Sequence, residues 1–214
     1  MKIDMHIHSQ ESLDCELSLT EIIKQGKKRG LDGVAITDHN KITIKKIIRK
    51  KGFIFIPGAE IKTNLGEILA YNIKKIPKTN DFFKVIKQLK KQKCIIAIPH
   101  PFDSLRKESI NNIQILEKIK KEIDFIEING RSLPLFNNWA ENFAKKFGIK
   151  IIAGSDAHFG FEIGKCYSII DKNINVKKIV RKDNYFSLIS LILTKIKKSI
   201  RHKSNSKSSS NIFF

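Results

Sequence analysis

Five of the six histidines in this 214-residue chain stand within or just past a short apolar run. His6 and His8 fall in the run 2–8, His39 follows 33–37, His100 follows 94–98, and His158 follows 150–153. Runs of this length, rich in β-branched residues, read as strands buried on both faces. Between them lie segments with apolar residues at helical spacing, such as Phe82, Phe83, Val85, Ile86 and Leu89. Strands alternating with helices imply a parallel α/β arrangement. Glu60, Asn129 and Asp156 also sit at or just after strand ends, the edge where barrel-type α/β enzymes build their active sites. Because these residues come from the first strand to the last, a ring is preferred over an open sheet.

The spacing predicts strands at 2–8, 33–37, 53–61, 65–71, 94–98, 125–129, 150–153 and 166–170. Helices are expected at about 41–50, 81–92, 113–121 and 135–147. Ser18 with Glu21 three residues on forms a capping box, which opens a further helix that runs to Arg29 and stops at Gly30.

Residues two apart on a strand share a face, so His6 and His8 project together and one metal ion can take both. An isolated pair of this kind is equally at home on a protein surface. The same spacing recurs at Asp156 and His158, however, with His39, Glu60 and His100 between. Imidazole mixed with carboxylate suits zinc, manganese or iron, whereas calcium prefers oxygen alone. Five histidines with Asp14, Glu60, Glu67 and Asp156 could serve two or three divalent ions, with a carboxylate such as Glu60 bridging. Glu67 and Asp14 can also be read as solvated residues. Asp38 either joins the site, orients His39 or caps the next helix.

Taken in order, these stretches resemble the PHP (polymerase and histidinol phosphatase) superfamily of metal-dependent phosphoesterases. Residues 4–9 (DMHIHS) look like its first motif and 35–40 (AITDHN) its second. Residues 57–61 (PGAEI) and 98–101 (IPHP) resemble its middle motifs, and 153–158 (AGSDAH) its last. The resemblance covers about residues 2–165. It implies a distorted seven-stranded (β/α) barrel with up to three divalent ions at the C-terminal ends of the strands. On this reading His6, His8, Glu60 and Asp156 hold one ion, Glu60, His100 and Asp14 serve others, and His39 and His158 complete the cluster. Two departures stand out. The loop 10–15 lacks the Asp-Gly usual after the serine, which makes Glu11 a competitor of Asp14. Glu67 stands where many members carry histidine, which bears on the third ion.

A cluster of this kind lowers the pKa of bound water and so supplies hydroxide near neutrality for in-line attack on phosphorus. His39 and His158 are candidates for proton transfer to the leaving group. Arg131, just after a strand, is the candidate phosphate-binding cation, since guanidinium pairs bidentately with phosphate oxygens, and Arg106 is a weaker one. The expected activity is hydrolysis of a small phosphorylated metabolite or nucleotide. A nuclease or nucleic-acid-end phosphoesterase is the alternative, and a non-catalytic metal-stabilised module is the third reading.

The formal charge of +20 favours a polyanionic partner such as nucleic acid. The excess is largely Lys beside Ile and Asn, a composition that codon bias also produces, and no aromatic stacking motif accompanies it. Cys15, Cys94 and Cys166 form no CxxC pair and are expected as reduced thiols. No apolar run reaches the roughly 18–20 residues a membrane span requires. The start lacks a signal-peptide core, so a cytoplasmic protein is expected. The domain reading is a barrel over 1–170, a helical extension packed on it over 171–202, and a disordered basic tail over 203–214. Apolar residues at three- and four-residue spacing over 185–200 favour a helix packed on the domain over one lying on a membrane surface.

Overall fold

The computed structural model describes residues 1–181, 189, 192–194, 196 and 199. Ten strands and four helices are assigned among them. In order they are β1 (Lys2–Ile7), α1 (Leu19–Lys28), β2 (Gly33–Ile36), β3 (Ile48–Lys50), β4 (Phe53–Lys62), β5 (Glu67–Tyr71), α2 (Phe82–Lys91), β6 (Ile95–Ile98), α3 (Ile113–Ile119), β7 (Phe125–Asn129), α4 (Pro134–Phe147), β8 (Lys150–Gly154), β9 (Cys166–Ile170) and β10 (Val176–Arg181). The sheet runs β10-β9-β1-β2-β4-β5-β6-β7-β8, with β3 attached to β4. Seven of these strands, β1, β2 and β4 to β8, make the expected distorted ring.

The ring nearly closes between β8 and β1. At the mouth, Asp156 N donates to His6 O at 2.7 Å and His8 N to Ala157 O at 3.1 Å. At the other end β9 bridges the seam, pairing antiparallel with Lys2 and Ile3 and taking the Ala153 N–H on Ser168 Oγ at 2.8 Å.

The interior is filled by Ile3, Met5, Ala35, Ile54, Ile56, Leu69, Tyr71, Ala97, Phe125 and Ile152, so every ring strand contributes. A strand's faces alternate with period two. Continuing the inward positions towards the mouth therefore turns apolar residues into polar ones: Ile54 and Ile56 lead to Glu60, Phe125 to Glu127 and Asn129, and Ile152 to Asp156. The four helices lie outside. Ser18 caps α1, its side chain accepting from Glu21 N, and Asp81 caps α2.

The structure corrects the sequence reading at three places. No helix forms over 41–50. Ile44 drops into the cluster beneath α1, and Ile48–Lys50 pairs antiparallel with Phe53–Phe55. The two-residue turn between them has positive φ at Lys51 (52°) and Gly52 (77°), the backbone a tight hairpin requires. Second, β5 is antiparallel to both β4 and β6, which breaks the parallel order. Third, within 171–202, expected as a helical extension, Val176–Arg181 is a strand paired with β9. The described positions Ile189, Ile192–Thr194, Ile196 and Ser199 are helical. The expected tail, 203–214, lies outside the described residues.

Candidate metal centre

The mouth of the ring is built by a slip in β1. Its register with β2 shifts by one residue between Asp4 and Ile7, and a one-residue slip exchanges the two faces of a strand. Ile3 and Met5 therefore pack inside the barrel, while His6 and His8, beyond the slip, also turn into its mouth. Gly154 on β8 lets them sit there, since a Cβ at this position would lie 2.4 Å from His6 Cβ and 2.5 Å from His6 N.

All nine candidate ligands converge. His6 Nε2 and His8 Nε2 are 3.1 Å apart. Glu60 Oε2 lies 3.5 and 3.3 Å from them, and Asp156 Oδ1 3.6 and 3.3 Å. Glu60 also reaches His39 Nδ1 at 3.1 Å and His100 Nε2 at 3.2 Å, and so stands at the centre of the cluster. Glu67 completes that side, 3.6 Å from His39 and 3.7 Å from His100. Because β5 runs antiparallel, the start of that strand lies at the mouth, which brings Glu67 to the same edge as the strand ends. On the opposite side Asp14 meets His39 at 3.6 Å and His158 at 3.5 Å. Glu11, its competitor in sequence, pairs with Lys41 at the surface.

Two buried acceptors orient the first histidine pair. Glu127 Oε1 takes the proton of His6 Nδ1 at 2.8 Å. His8 Nδ1 faces Ser12 Oγ at 3.2 Å, and that hydroxyl donates to Asp38 Oδ1 at 2.7 Å, leaving it to accept from His8. Asp38, whose role the sequence leaves open, thus acts through Ser12; it also accepts from Ser9 N and Ser9 Oγ, each at 2.7 Å. With both Nδ1 atoms committed in this way, both Nε2 atoms turn towards each other and towards two carboxylates. Only a shared proton or a cation reconciles them, and the second is the usual arrangement around a metal-bound histidine.

The charge balance agrees. Burial opposes charge on His6, but Glu127, Glu60 and Asp156 outweigh it and hold the imidazole well above its ordinary range. His39 is likewise held up against burial, by Asp14, Glu60 and Glu67. Burial, and then the Glu60 charge, push Glu67 up to about 8. His158 is depressed to about 4 by burial, His8 and Arg131. Three sets of side chains bring donor atoms within 4.8 Å of one another: His6, His8 and Glu60; His8, His39 and His158; and His39, Glu60 and Glu67. Donor types, convergence and sharing of Glu60, His8 and His39 all fit a multinuclear divalent centre. Two of its non-glycine residues carry left-handed backbone, His100 (φ 31°) and Asp156 (φ 56°), a strain that gathers at functional sites.

The two arginines reach the site already engaged by other side chains. Arg131 is buried, with Nε 3.2 Å from Glu162 Oε1 and Nη1 2.8 Å from His158 Nδ1. Arg106 crosses from the 101–112 loop to Asp156, and bonds Asp103 at 3.1 Å and Asn129 at 3.3 Å. Both line a cavity of about 280 Å³ together with Lys107, Glu108 and the candidate ligands other than His6 and His8. Glu127, Ser12 and Glu162 escape the sequence reading. Glu127 carried the one available signal, an acid inside the apolar run 125–129.

Residues 4–129 match the family model described as PHP domain, and 134–182 the model described as PHP-associated. An uncharacterized protein of Methanocaldococcus jannaschii is 33% identical over 183 residues, covering 83% of this chain and 73% of its own length. A Caldicellulosiruptor bescii protein named "Probable phosphatase" is 26% identical over 202 residues, 78% of this chain and 83% of that protein. Among solved structures, PsfC of Pseudomonas syringae superposes with a TM-score of 0.67 at 14% identity, covering 92% of this chain and 97% of that one. A Bifidobacterium adolescentis protein with the working description metal-dependent phosphoesterase gives 0.60 at 14% identity, covering 89% and 96%. These two establish likeness of fold. The match over residues 4–129, more than half of the sequence, establishes the family: the chain belongs to the PHP domain family and is a metal-dependent hydrolase.

Proposed function

We propose that this centre binds two or three divalent ions, of zinc, manganese or iron, and hydrolyses a phosphate ester of a small metabolite or nucleotide. The observation that carries the reading is the convergence of five imidazoles and four carboxylates, of which three imidazoles and all four carboxylates line a cavity of about 280 Å³ that Arg106 and Arg131 also line. His6, His8, Glu60 and Asp156 would hold one ion. Glu60, Glu67, His39 and His100 would hold a second, with Asp14 available to a third. Bound divalent ions supply Lewis acidity and a water acidic enough to deprotonate near neutral pH.

The chain's own groups would do the rest. Arg131 and Arg106 offer cationic donors to the phosphate oxygens that the ligand carboxylates would otherwise repel. His39, with a side chain 26% exposed where its four companions are buried, would pass a proton from Nε2 to the departing oxygen. His158 Nδ1 lies 2.8 Å from Arg131, a group that only donates, and 2.9 Å from the Asp156 carbonyl oxygen; in the tautomer that accepts from Arg131 it would hold that guanidinium in place.

The cavity falls at the small end of ligand sites, which favours a small phosphate ester over an extended nucleic acid. The test is a screen of mononucleotides, sugar phosphates, aryl phosphate and 5′-phosphorylated oligonucleotides against Mn²⁺, Zn²⁺ and Fe²⁺. Turnover of small esters, abolished in His8→Ala and in Asp156→Ala, is the expected result. Full activity in either variant sinks the site assignment. Metal-dependent thermal stability without turnover in any combination would instead favour a non-catalytic module.

A further inference from the structure

Thr194 lies beyond both stretches that match the family models, yet it lines the metal-centre cavity. Ile189, Ile192, Leu193 and Ile196 in the same helical stretch are 41–56% exposed, whereas Thr194 is 8% exposed. Among the described residues of that stretch it is the buried one, and the reason is polar: its Oγ1 accepts from Arg131 Nη2 at 2.6 Å. The other nitrogens of the same guanidinium face Glu162 and His158. Glu162 is itself fixed, with Oε2 accepting from His158 N at 2.8 Å and Phe159 N at 2.9 Å.

A guanidinium is a planar fork with donors in set directions, so the contacts at Nη1 and Nη2, with the Glu162 carboxylate charge beside Nε, fix the plane it presents to the cavity. Glu162 and His158 come from the loop after β8 and hold two corners. Thr194 holds the third, from the far end of the chain. Resting on the phosphoesterase reading, we propose that Thr194 is a positioning residue for substrate phosphate. Its hydroxyl sets the Nη2 edge of Arg131, so a segment outside the matched family stretches completes the phosphate site.

The test uses the full-length, Mn²⁺-loaded protein with an aryl phosphate, and with inorganic phosphate as a competing ligand. Thr194→Val keeps the side chain's shape and removes the acceptor, whereas Thr194→Ser keeps the acceptor. Thr194→Val should raise KM and the inhibition constant of phosphate together by about tenfold, the scale of one lost hydrogen bond to a charged group. Turnover number should stay within about twofold, because positioning of bound phosphate acts on binding. Thr194→Ser should stay close to the parent, and metal content should be the same in all three. A Thr194→Val protein with unchanged KM overturns the proposal, as does a Thr194→Ser protein impaired equally. Should Thr194→Val fail to fold, phosphate inhibition of Thr194→Ser and Thr194→Ala decides: equal inhibition constants overturn the proposal. Absence of any phosphate-ester turnover in the parent overturns the phosphoesterase reading itself, a result distinct from an active parent that Thr194→Val matches.

Discussion

Glu127 on β7 reaches across the barrel to His6 on β1, taking the proton of Nδ1 at 2.8 Å, while its other oxygen accepts the backbone N–H of His100 at 2.8 Å. One buried carboxylate thus sets the ring of one candidate ligand and the left-handed backbone of another, 94 positions apart in the sequence. It touches neither partner's metal-facing nitrogen. Its work is orientation.

Removal of that carboxylate should therefore loosen metal without removing a ligand. Glu127→Ala is expected to weaken divalent-ion affinity by about 10- to 100-fold, the usual effect of losing a histidine's outer partner. Glu127→Gln, which keeps an acceptor for one of the two contacts, should fall between. Competition with a fluorescent chelator measures it, and equal affinities for parent and Glu127→Ala would refute the role.

Metal uptake should release protons and strengthen with pH. His6 and His39 are held well above the ordinary histidine range, and Glu67 is pushed up to about 8, so near pH 7 the metal-free cluster carries protons that cations must displace. Raising pH through about 8 takes the proton off Glu67 and moves towards loss of those on His6 and His39, which lowers the competition and raises affinity; lowering pH does the reverse. Calorimetric titration at pH 7 in buffers of differing ionisation enthalpy should give a buffer-dependent heat corresponding to proton release. A buffer-independent heat would count against it.

Gly154 is expected to tolerate no side chain. A Cβ there would meet the His6 backbone nitrogen at 2.5 Å, a rigid neighbour on an adjoining strand. Gly154→Ala should cost about 1–3 kcal/mol, as overpacking of a filled interior does. It should also weaken metal binding, because the atoms that must yield belong to a ligand. Thermal melts with and without Mn²⁺ check both, and an unchanged midpoint would show that β1 can move aside.

The Asp38–Ser12–His8 chain offers a parallel case. Ser12→Ala deletes the group between a buried carboxylate and the imidazole, and should lower metal affinity by about 10-fold or more while leaving every ligand in place. The same chelator competition reads it.

Much of the centre was legible in the sequence because strand geometry is local. A spacing of two puts His6 with His8 on one side of an extended run, its recurrence at Asp156 and His158 marks a second limb just past a strand end, and short apolar runs between helical stripes already imply parallel strands with a common C-terminal edge. What one strand does to another was not local. The segment 41–50 has apolar spacing compatible with a helix, and only pairing with β4 made its last residues a strand. Glu67 opens its strand and reaches the mouth only because β5 is reversed between β4 and β6. Glu127, Ser12 and Asp38 look like ordinary polar residues until the ring closes and brings each against an imidazole nitrogen. Arg131 was legible as a cation near the strand ends, but its contacts with Glu162, His158 and Thr194, which set how it meets the cavity, exist only in the tertiary structure. The sequence by itself determined which donor atoms this protein carries and which end of the strands they occupy, since the backbone's period of two requires no partner. Their convergence on Glu60, and the direction each imidazole faces, were decided by contacts between residues far apart in the chain, which exist only once the barrel has formed.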